Sequence, residues 1–213
     1  VTDVNGNSST CTAQVVVNDN LPPVAQCQNQ TVFLNASGTA TVTAAQVNNG
    51  STDNCAITAF SVTPNVFTCA NTGSNTVVLT VTDANSNTAT CSATITVQDN
   101  IAPLAVCQPV TVQLNSGGAA SVTGTQVNNG SSDGCDVQPL AVAPNSFSCG
   151  NVGGNTVTLT VTDVNNNTTT CSATVTVQDN IAPLAVCQPV TVQLNSGGTA
   201  SVTGTQVNNG SSD

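Results

Sequence analysis

Apolar and polar residues alternate with a period of two along most of the chain, and no stretch carries the apolar stripe of an amphipathic helix. In segment 156–162, Val157, Leu159 and Val161 alternate with threonines. Segment 170–177 shows the same alternation and predicts that Cys171 and the apolar residues after it face inward. The pattern therefore predicts short β-strands, each with one buried face and one face in water.

Turn-forming residues divide this pattern into six separate predicted strands between residues 106 and 177. Runs rich in Asn, Gly and Ser, such as 115–118 and 128–130, stand between the alternating segments. Six or seven short strands in 80 residues, expected to pair antiparallel, indicate an all-β fold of the immunoglobulin-like sandwich class. The predicted strands are 106–114, 119–125, 137–143, 146–149, 156–162 and 170–177.

The strand pattern recurs because the chain is internally repeated. The segment Asn-Ile-Ala-Pro-Leu-Ala-Val-Cys at 100–107 returns unchanged at 180–187, and 20–27 is a divergent copy, so the repeat is 80 residues long. That period suits a small independent domain and is too long for one coil of a solenoid. We expect a window from a longer array, with tandem immunoglobulin-like domains. Its parts are the end of a repeat at 1–19, complete repeats at 20–99 and 100–179, and the start of a repeat at 180–213.

The charge of the chain is entirely acidic. Lys, Arg and His are absent, and the ten acidic residues, all Asp, give a net charge of −10. Without basic residues the chain cannot neutralise phosphates, so we expect neither a nucleic-acid partner nor attraction to an anionic membrane. Apolar runs are also too short for membrane insertion. A Ser or Cys nucleophile would lack its base, which leaves a carboxylate pair as the only enzymatic mechanism, and we expect a protein that is not an enzyme.

Ten cysteines in so polar a chain indicate an oxidising compartment, and hence an extracellular location, secreted or on the cell surface. The first and last strands of such a sandwich both start at the pole where the chain enters. The cysteines near those starts should therefore pair, Cys27 with Cys91 and Cys107 with Cys171. A rival Cys91–Cys107 pair would have to span a strand length of roughly 25 Å, whereas a disulfide needs Cα atoms within about 7 Å.

The other two cysteines of each repeat flank a segment that we interpret as a hairpin. They predict a second disulfide in each repeat, which a small domain with a core of mostly Val, Leu and Ala would need. Zinc is disfavoured, because the spacing contains no close Cys pair and His is absent. Cys11 and Cys187 would pair with cysteines outside this chain. The second predicted disulfides are Cys55–Cys69 and Cys135–Cys149.

One extended motif resembles a known family. Residues 162–187 contain Thr-Asp-x-Asn-x-Asn and then Cys-x-Ala-x-Val-x-Val-x-Asp-Asn-x-x-Pro-x-x-x-Cys, which is similar to the HYR-type immunoglobulin-like repeat. The resemblance implies tandem modules of large secreted or surface proteins of bacteria, where they serve as adhesive or structural spacers. The Gly-Asn turn of that family survives at Gly6-Asn7 and is replaced by Ser86-Asn87 and Asn166-Asn167.

All aspartates except Asp136 recur at three positions of the repeat: the linker after the last strand, the loop before the third strand, and the end of the penultimate strand. In an immunoglobulin-like sandwich these places meet at one pole, so three carboxylates should converge at each junction. Ca²⁺, which prefers six to eight oxygen ligands, would relieve their repulsion. The predicted calcium ligands are Asp19, Asp53 and Asp83; Asp99, Asp133 and Asp163; Asp179 and Asp213; and the linker residues Asn20, Asn100 and Asn180.

The alternative for each aspartate is an ordinary turn residue that accepts hydrogen bonds from backbone N–H groups and binds no metal. Co-localisation of three aspartates without any basic partner favours the calcium interpretation. The linker Asn18-Asp-Asn-Leu-Pro-Pro is also similar, over these few residues, to the calcium-binding linker of cadherins.

These observations predict an extracellular structural or adhesive protein, a calcium-rigidified array that forms a stalk or filament. Its expected partners are further copies of the same repeat. The alternative is a glycan- or protein-binding module of a surface adhesin, with its ligand at a tip outside this chain. Glycan sites usually offer aromatic platforms, and we expect the four aromatic residues to lie in the core. They are Phe33, Phe60, Phe67 and Phe147.

Overall fold

The structure, a computed structural model, describes residues 1–212. It consists of two compact units, one of residues Val1–Asn100 and one that begins at Ile101. Each unit contains one complete repeat and one partial repeat. Within the described residues, no helix is long or apolar enough to cross a membrane.

The first complete repeat contains six strands and one short helix. A single 3-10 turn, Cys69–Asn71, joins β4 to β5. The elements are β1 (Gln30–Phe33), β2 (Thr39–Thr41), α1 (Ala44–Val47), β3 (Ile57–Thr63), β4 (Val66–Thr68), β5 (Gly73–Asp83) and β6 (Thr88–Gln98).

The second complete repeat has the same order of elements, and a short helix follows in the partial repeat. A 3-10 turn at Cys149–Asn151 again joins the fourth strand to the fifth. The elements are β7 (Val110–Gln113), β8 (Ala119–Ser121), α2 (Gly124–Val127), β9 (Ala141–Ala143), β10 (Ser146–Ser148), β11 (Gly153–Thr162), β12 (Thr168–Gln178) and α3 (Gly204–Val207).

Each complete repeat is a two-layered sandwich, as predicted. A four-stranded sheet has the order β1-β6-β5-β3 in the first repeat and β7-β12-β11-β9 in the second. The second layer is a two-stranded sheet, β2-β4 or β10-β8. All pairs are antiparallel except the first strand with the last, which are parallel because both run away from the pole where the chain enters. Disulfide-stabilised, immunoglobulin-like β-sandwiches are therefore the fold of the repeats.

The core lies between the two layers and follows the predicted alternation. Val157, Leu159 and Val161 of β11 are fully buried, and Val175 and Val177 of β12 complete the same face. The prediction for the aromatic residues was right for Phe67 and Phe147, which are buried, and wrong for the other two. Phe33 is 55% exposed and Phe60 is 40% exposed. Phe33 follows buried Val32 and so points to the other face of β1, and Phe60 lies on edge strand β3.

Three predicted strands are shorter than the sequence pattern suggests. The first begins at Val110 rather than 106, because Pro109 has no N–H to donate to the ladder. The second ends at Ser121, and α2 follows. Thr123 caps that helix, because its Oγ1 accepts from the Gln126 backbone N–H at 3.4 Å, while its own backbone N–H donates to Gln126 Oε1 at 2.8 Å. The third strand covers only 141–143.

The two ends of each sandwich are defined by the chain direction. We call the end where β3 and β6 begin and β5 ends the N-terminal pole; Ile57 pairs with Asp83 there. The C-terminal pole is the end where β6 finishes at Gln98 and where the turn 35–38 joins β1 to β2. Leu34 donates its N–H to the Gln98 carbonyl at this pole.

One disulfide in each repeat follows the prediction. Cys27 is bonded to Cys91 and Cys107 to Cys171, and in both the Cα atoms are 5.9 Å apart. These bonds join the segment before the first strand to the last strand. Cys11 and Cys187 are exposed thiols, and their pairing outside this chain stays a prediction.

The second predicted disulfide of each repeat is wrong. Cys55 and Cys149 are exposed free thiols, whereas Cys69 and Cys135 are disulfide-bonded, so neither Cys55–Cys69 nor Cys135–Cys149 forms. The reason is topological, because β3 and β4 do not form a hairpin. β3 pairs with β5 in one sheet, while β4 pairs with β2 in the other, and the chain keeps its direction towards the C-terminal pole.

Candidate metal centre

Asp83 is held in place by the turn between β5 and β6. Its Oδ1 accepts hydrogen bonds from the backbone N–H groups of Asn85 and Asn87, both at 2.8 Å, and its Oδ2 accepts one from Asn87 Nδ2 at 2.7 Å. The side chain is only 2% exposed. This is the Asx-type turn of the alternative interpretation, so Asp83 has a structural role whether or not it binds a metal. It stays a candidate ligand, since its Oδ2 accepts only one hydrogen bond and has a second lone pair.

The turn also explains the replaced glycine of the family motif. Gly6, Ser86 and Asn166 occupy the same repeat position, and all three have positive φ, at 86°, 71° and 72°. Asn tolerates this left-handed conformation better than most residues, and Gly has no steric penalty there. The conformation of the turn is therefore retained although its glycine is not.

Asp53 lies in the loop between α1 and β3, at the N-terminal pole. Its Oδ2 accepts a hydrogen bond from the backbone N–H of Cys55 at 2.9 Å. Its Oδ1 is buried and has no hydrogen-bond partner. An unpaired buried carboxylate oxygen is costly, and a bound cation would remove that cost.

Asp19 reaches the same pole from the linker that precedes the repeat. Its Oδ1 accepts from the Leu21 N–H at 3.0 Å, and its Oδ2 accepts from Asn54 Nδ2 at 3.4 Å. The Leu21 N–H, followed by the Cys55 thiol, holds the pKa of the Asp19 carboxyl below its usual value. Asn87 Nδ2 also donates to the Asp19 carbonyl oxygen at 3.1 Å, which ties the linker to the turn.

These three aspartates form one cluster, as the topology predicts. One carboxylate oxygen from each of Asp19, Asp53 and Asp83 lies within 4.8 Å of the others. The chain has no basic side chain that could neutralise them. The cluster therefore supplies the all-oxygen, strongly anionic ligand set that a hard divalent cation prefers.

The thiol of Cys55 lies beside this cluster. Its hydrogen bond to Asp19 raises the pKa of the thiol, and partial desolvation and the negative charges of Asp19, Asp53 and Asp83 act in the same direction. Cys55, Asn54 and Asn87 were not predicted as neighbours of the carboxylates. Their side-chain contacts depend on the loop conformation, which the spacing of the aspartates does not encode.

In the second repeat, Asp163 and Asp133 occupy the same repeat positions as Asp83 and Asp53. Asp163 is fully buried and accepts from the N–H groups of Asn165 and Asn167 and from Asn167 Nδ2, each at 2.8 Å. Asp133 Oδ2 accepts from the Cys135 N–H at 2.7 Å. The Oδ1 of Asn165 is buried without a hydrogen-bond partner, which adds a candidate ligand that the sequence did not predict.

The remaining predicted ligands have different outcomes. Asp99 is buried at the end of the first unit, and because Asp133 and Asp163 belong to the other unit, the convergence of these three stays a prediction. Asp179 accepts from the Ile181 N–H at 3.1 Å and is exposed, and Asp213 lies outside the described residues. The three linker asparagines are exposed, and a ligand role for them also stays a prediction. They are Asn20, Asn100 and Asn180.

Comparison with known proteins gives similarity to structures only. No protein-family model matches the sequence, and no curated protein matches it. A structure of extracellular cadherin domains 1–5 of protocadherin gamma B2 has 13% identity and a TM-score of 0.37; the match covers 84% of this chain and 44% of that one. For human protocadherin-24 EC1-2 the identity is 12%, the TM-score 0.39 and the coverage 76% and 100%. For titin domains I67–I69 the identity is 10% and the TM-score 0.33, and the match covers 74% of this chain and 66% of that one.

The chain spans about half the length of the first two protocadherins that it matches, at 44% and 54%. Similarity at this level says nothing of ligands or partners. The assignment of the fold rests on the strand order and the disulfides of the chain itself.

Proposed function

We propose that the chain is a non-enzymatic extracellular protein with structural and adhesive roles, built from tandem immunoglobulin-like repeats of the HYR type. Each junction binds Ca²⁺, and the array forms a stiff stalk or filament of a bacterial surface. The observation that supports this most directly is the cluster of Asp19, Asp53 and Asp83, which draws on the linker and on two loops of one pole. The disulfides support an oxidising, extracellular environment.

Calcium fits this cluster better than other common metal ions. The three carboxylates and neighbouring carbonyl groups are hard oxygen donors, which disfavours Cu(I) and zinc. Mg²⁺ requires near-ideal octahedral geometry and keeps several waters, whereas Ca²⁺ accepts irregular sites with more protein ligands. The buried Oδ1 of Asp53 would gain the partner that it lacks.

Metal binding at this place would stiffen the linker. Asp19 belongs to the segment that connects one repeat to the next, while Asp53 and Asp83 belong to loops of the following repeat. A cation that coordinates all three would tie the linker to the pole and restrict the hinge. An array of such junctions would extend as a rod.

An alternative function as a glycan-binding module gains little support. The exposed aromatic residues Phe33 and Phe60 lie on opposite edge strands of the four-stranded sheet, so three strand spacings, about 14 Å, separate them. They do not form one platform. The second repeat has Gln113 and Leu140 at the same positions.

The metal site can be tested by measuring calcium binding directly. We expect equilibrium dialysis with radioactive calcium to give a dissociation constant of about 0.1–1 mM, the range of extracellular modules. The double variant Asp19→Asn/Asp53→Asn should lose the first site, since two of its three carboxylates become neutral. The matched control is Asp3→Asn/Asp136→Asn, which removes the same charge away from the cluster and should bind calcium normally. Equal binding by both variants would contradict the assignment of the site.

Removal of calcium should loosen the array without unfolding its domains. In about 1 mM calcium, a site of this affinity adds roughly 0.4–1.4 kcal/mol per junction to the free energy of unfolding. We expect EDTA to lower the melting temperature slightly and to increase flexibility in small-angle X-ray scattering. The Asp19→Asn/Asp53→Asn variant should respond less to calcium than the parent chain. Identical scattering and melting with calcium and with EDTA would show that the aspartates are turn residues only.

A further inference from the structure

Each short helix is followed by a loop that contains an Asn-Gly pair. The pairs are Asn49-Gly50, Asn129-Gly130 and Asn209-Gly210. In the two complete repeats the same loop also carries Asp53 or Asp133. Asparagine is a thermolabile residue, and it is most labile before glycine, because the unhindered glycine nitrogen can attack the carbon of the preceding side-chain amide. These pairs are therefore candidate modification sites.

The backbone on both sides of the pair is held in place, while the pair itself lies in water. The Asn49 N–H donates to the Gln26 carbonyl oxygen at 2.9 Å, and the Ser51 N–H donates to Asn48 Oδ1 at 3.0 Å. Both residues of each pair are exposed. The loop therefore keeps its conformation around the pair, and water and hydroxide reach the reacting atoms.

The backbone N–H of the glycine is unprotected in all three pairs. Among the described residues, the N–H groups of Gly50, Gly130 and Gly210 have no hydrogen-bond acceptor. Apart from the chain neighbours, no heavy atom lies within 4 Å of the position that a Cβ would take on these glycines. The nitrogen therefore loses its proton without first breaking a hydrogen bond, and nothing obstructs its approach to the asparagine side chain.

The turn between β11 and β12 shows the opposite arrangement. There Asn165 precedes Asn166, whose N–H donates to the Asp163 carbonyl oxygen at 3.3 Å, and the Oδ1 of Asn165 is buried. Gly6, in the fourth Asn-Gly pair, occupies the same repeat position, and its N–H also donates to a carbonyl oxygen, at 3.1 Å. A nitrogen held in this way is a poorer nucleophile, so the fold distinguishes labile asparagines from protected ones.

We propose that Asn49, Asn129 and Asn209 are sites of spontaneous deamidation, so that each of these loops acquires a carboxylate without an enzyme. The glycine nitrogen gives its proton to a base and bonds to the asparagine Cγ, and the side-chain nitrogen leaves as ammonia. Water then opens the resulting succinimide ring at either carbonyl carbon, which gives aspartate or isoaspartate. Each event in a complete repeat adds one negative charge to the loop that carries Asp53 or Asp133. This goes beyond the proposed function, because the reaction needs no metal.

The sites are tested by incubating the folded chain in heavy-oxygen water at mildly alkaline pH, with EDTA present, and then mapping its peptides. Opening of the ring incorporates heavy oxygen, which distinguishes deamidation of the folded chain from deamidation during digestion in ordinary water. After reduction, cleavage on the amino side of aspartate places the three pairs on separate peptides, 19–52, 99–132 and 179–212. The same protease also cuts before a newly formed aspartate but not before isoaspartate.

We expect heavy oxygen at residues 49, 129 and 209, at rates close to those in the reduced, urea-unfolded chain. The label should accumulate more slowly at mildly acidic pH, because the attacking nitrogen must lose its proton. Rates at these residues more than about fivefold below those of the unfolded chain would overturn the proposal, since one net hydrogen bond corresponds to about that factor.

The matched control is Asn166→Gly, which places a glycine after Asn165 in the same repeat as Asn129. The φ of residue 166 is already 72°, so glycine fits the turn, and thermal melting verifies that the repeat is folded. In the folded variant we expect Asn165, on peptide 163–178, to be labelled at least about fivefold more slowly than Asn129, and at a similar rate after unfolding. Equal rates in the folded variant would overturn the proposal. Ser86→Gly repeats the comparison in the first repeat, where the N–H of residue 86 donates to a carbonyl oxygen at 3.4 Å.

Discussion

Replacing Cys107 and Cys171 by alanine should destabilise the second repeat by about 4 kcal/mol and leave the first repeat unchanged. The disulfide closes a loop with a sequence separation of 64, and the chain-entropy relation gives about 4 kcal/mol for a loop of this length. Both cysteines also pack against the core cluster of the repeat, so smaller side chains would remove some apolar contact as well.

The repeat has little else with which to offset this loss. Its core cluster contains one aromatic residue, Phe147, and otherwise Val and Leu. The free energy of unfolding of ordinary domains is about 5–15 kcal/mol, and domains of this small size lie near the lower end of that range. The disulfide therefore accounts for a large share of the stability that holds the sandwich closed.

Scanning calorimetry of the full chain would measure this effect, with the first repeat as an internal reference. For a domain of this size we expect the transition of the second repeat to fall by roughly 15–30 °C. The matched control is Cys149→Ala, which removes an exposed free thiol and should shift the transition little. A fall of only a few degrees for the double variant would contradict the entropic role of the bond.

The strands were predictable because their signal is local. Alternation of Val157, Leu159 and Val161 with threonine records which face of β11 is buried, and the structure buries those three residues completely. The 80-residue repeat relates the copies to each other. A strand that is well defined in one repeat therefore predicts its counterpart in the next. The poles followed from the alternating direction of the strands, and with them the Cys27–Cys91 and Cys107–Cys171 pairs.

The second disulfide could not be predicted in the same way. The segments 57–63 and 66–68 look like the arms of a hairpin, because they are short, apolar and close in sequence. Whether the second arm returns beside the first or crosses to the other sheet depends on its partner, and β4 pairs with β2, far away along the chain. The local sequence pattern does not indicate which strand β4 pairs with.

The candidate site shows a similar division between position and chemistry. The repeat positions of Asp19, Asp53 and Asp83 were enough to predict that they meet, because each lies at a point fixed by the topology. The pattern did not distinguish their roles. Asp83 is buried with both oxygens in hydrogen bonds, whereas Asp53 has a buried oxygen without a partner, and that difference arises from the conformation of each loop.

This difference leads to a second large effect, the loss of the buried carboxylate in the turn between β11 and β12. In EDTA, Asp163→Ala should destabilise the second repeat by about 3 kcal/mol, because the N–H groups of Asn165 and Asn167 and the Nδ2 of Asn167 lose their common acceptor. Asp133→Ala should cost only about 1 kcal/mol under the same conditions, since one hydrogen bond, from the Cys135 N–H, is lost.

Calcium should raise the cost of Asp133→Ala above its value in EDTA. If Asp133 acts mainly as a ligand, its replacement should abolish the stabilisation by calcium, whereas the cost of Asp163→Ala should already be large without the metal. Thermal unfolding of both variants in EDTA and in calcium, with the first repeat as reference, would measure this. In EDTA we expect a fall of roughly 12–24 °C for Asp163→Ala and only a few degrees for Asp133→Ala. If Asp163→Ala melted like the parent chain in EDTA, the turn hydrogen bonds would contribute nothing, and a ligand role would be the only one left for this carboxylate.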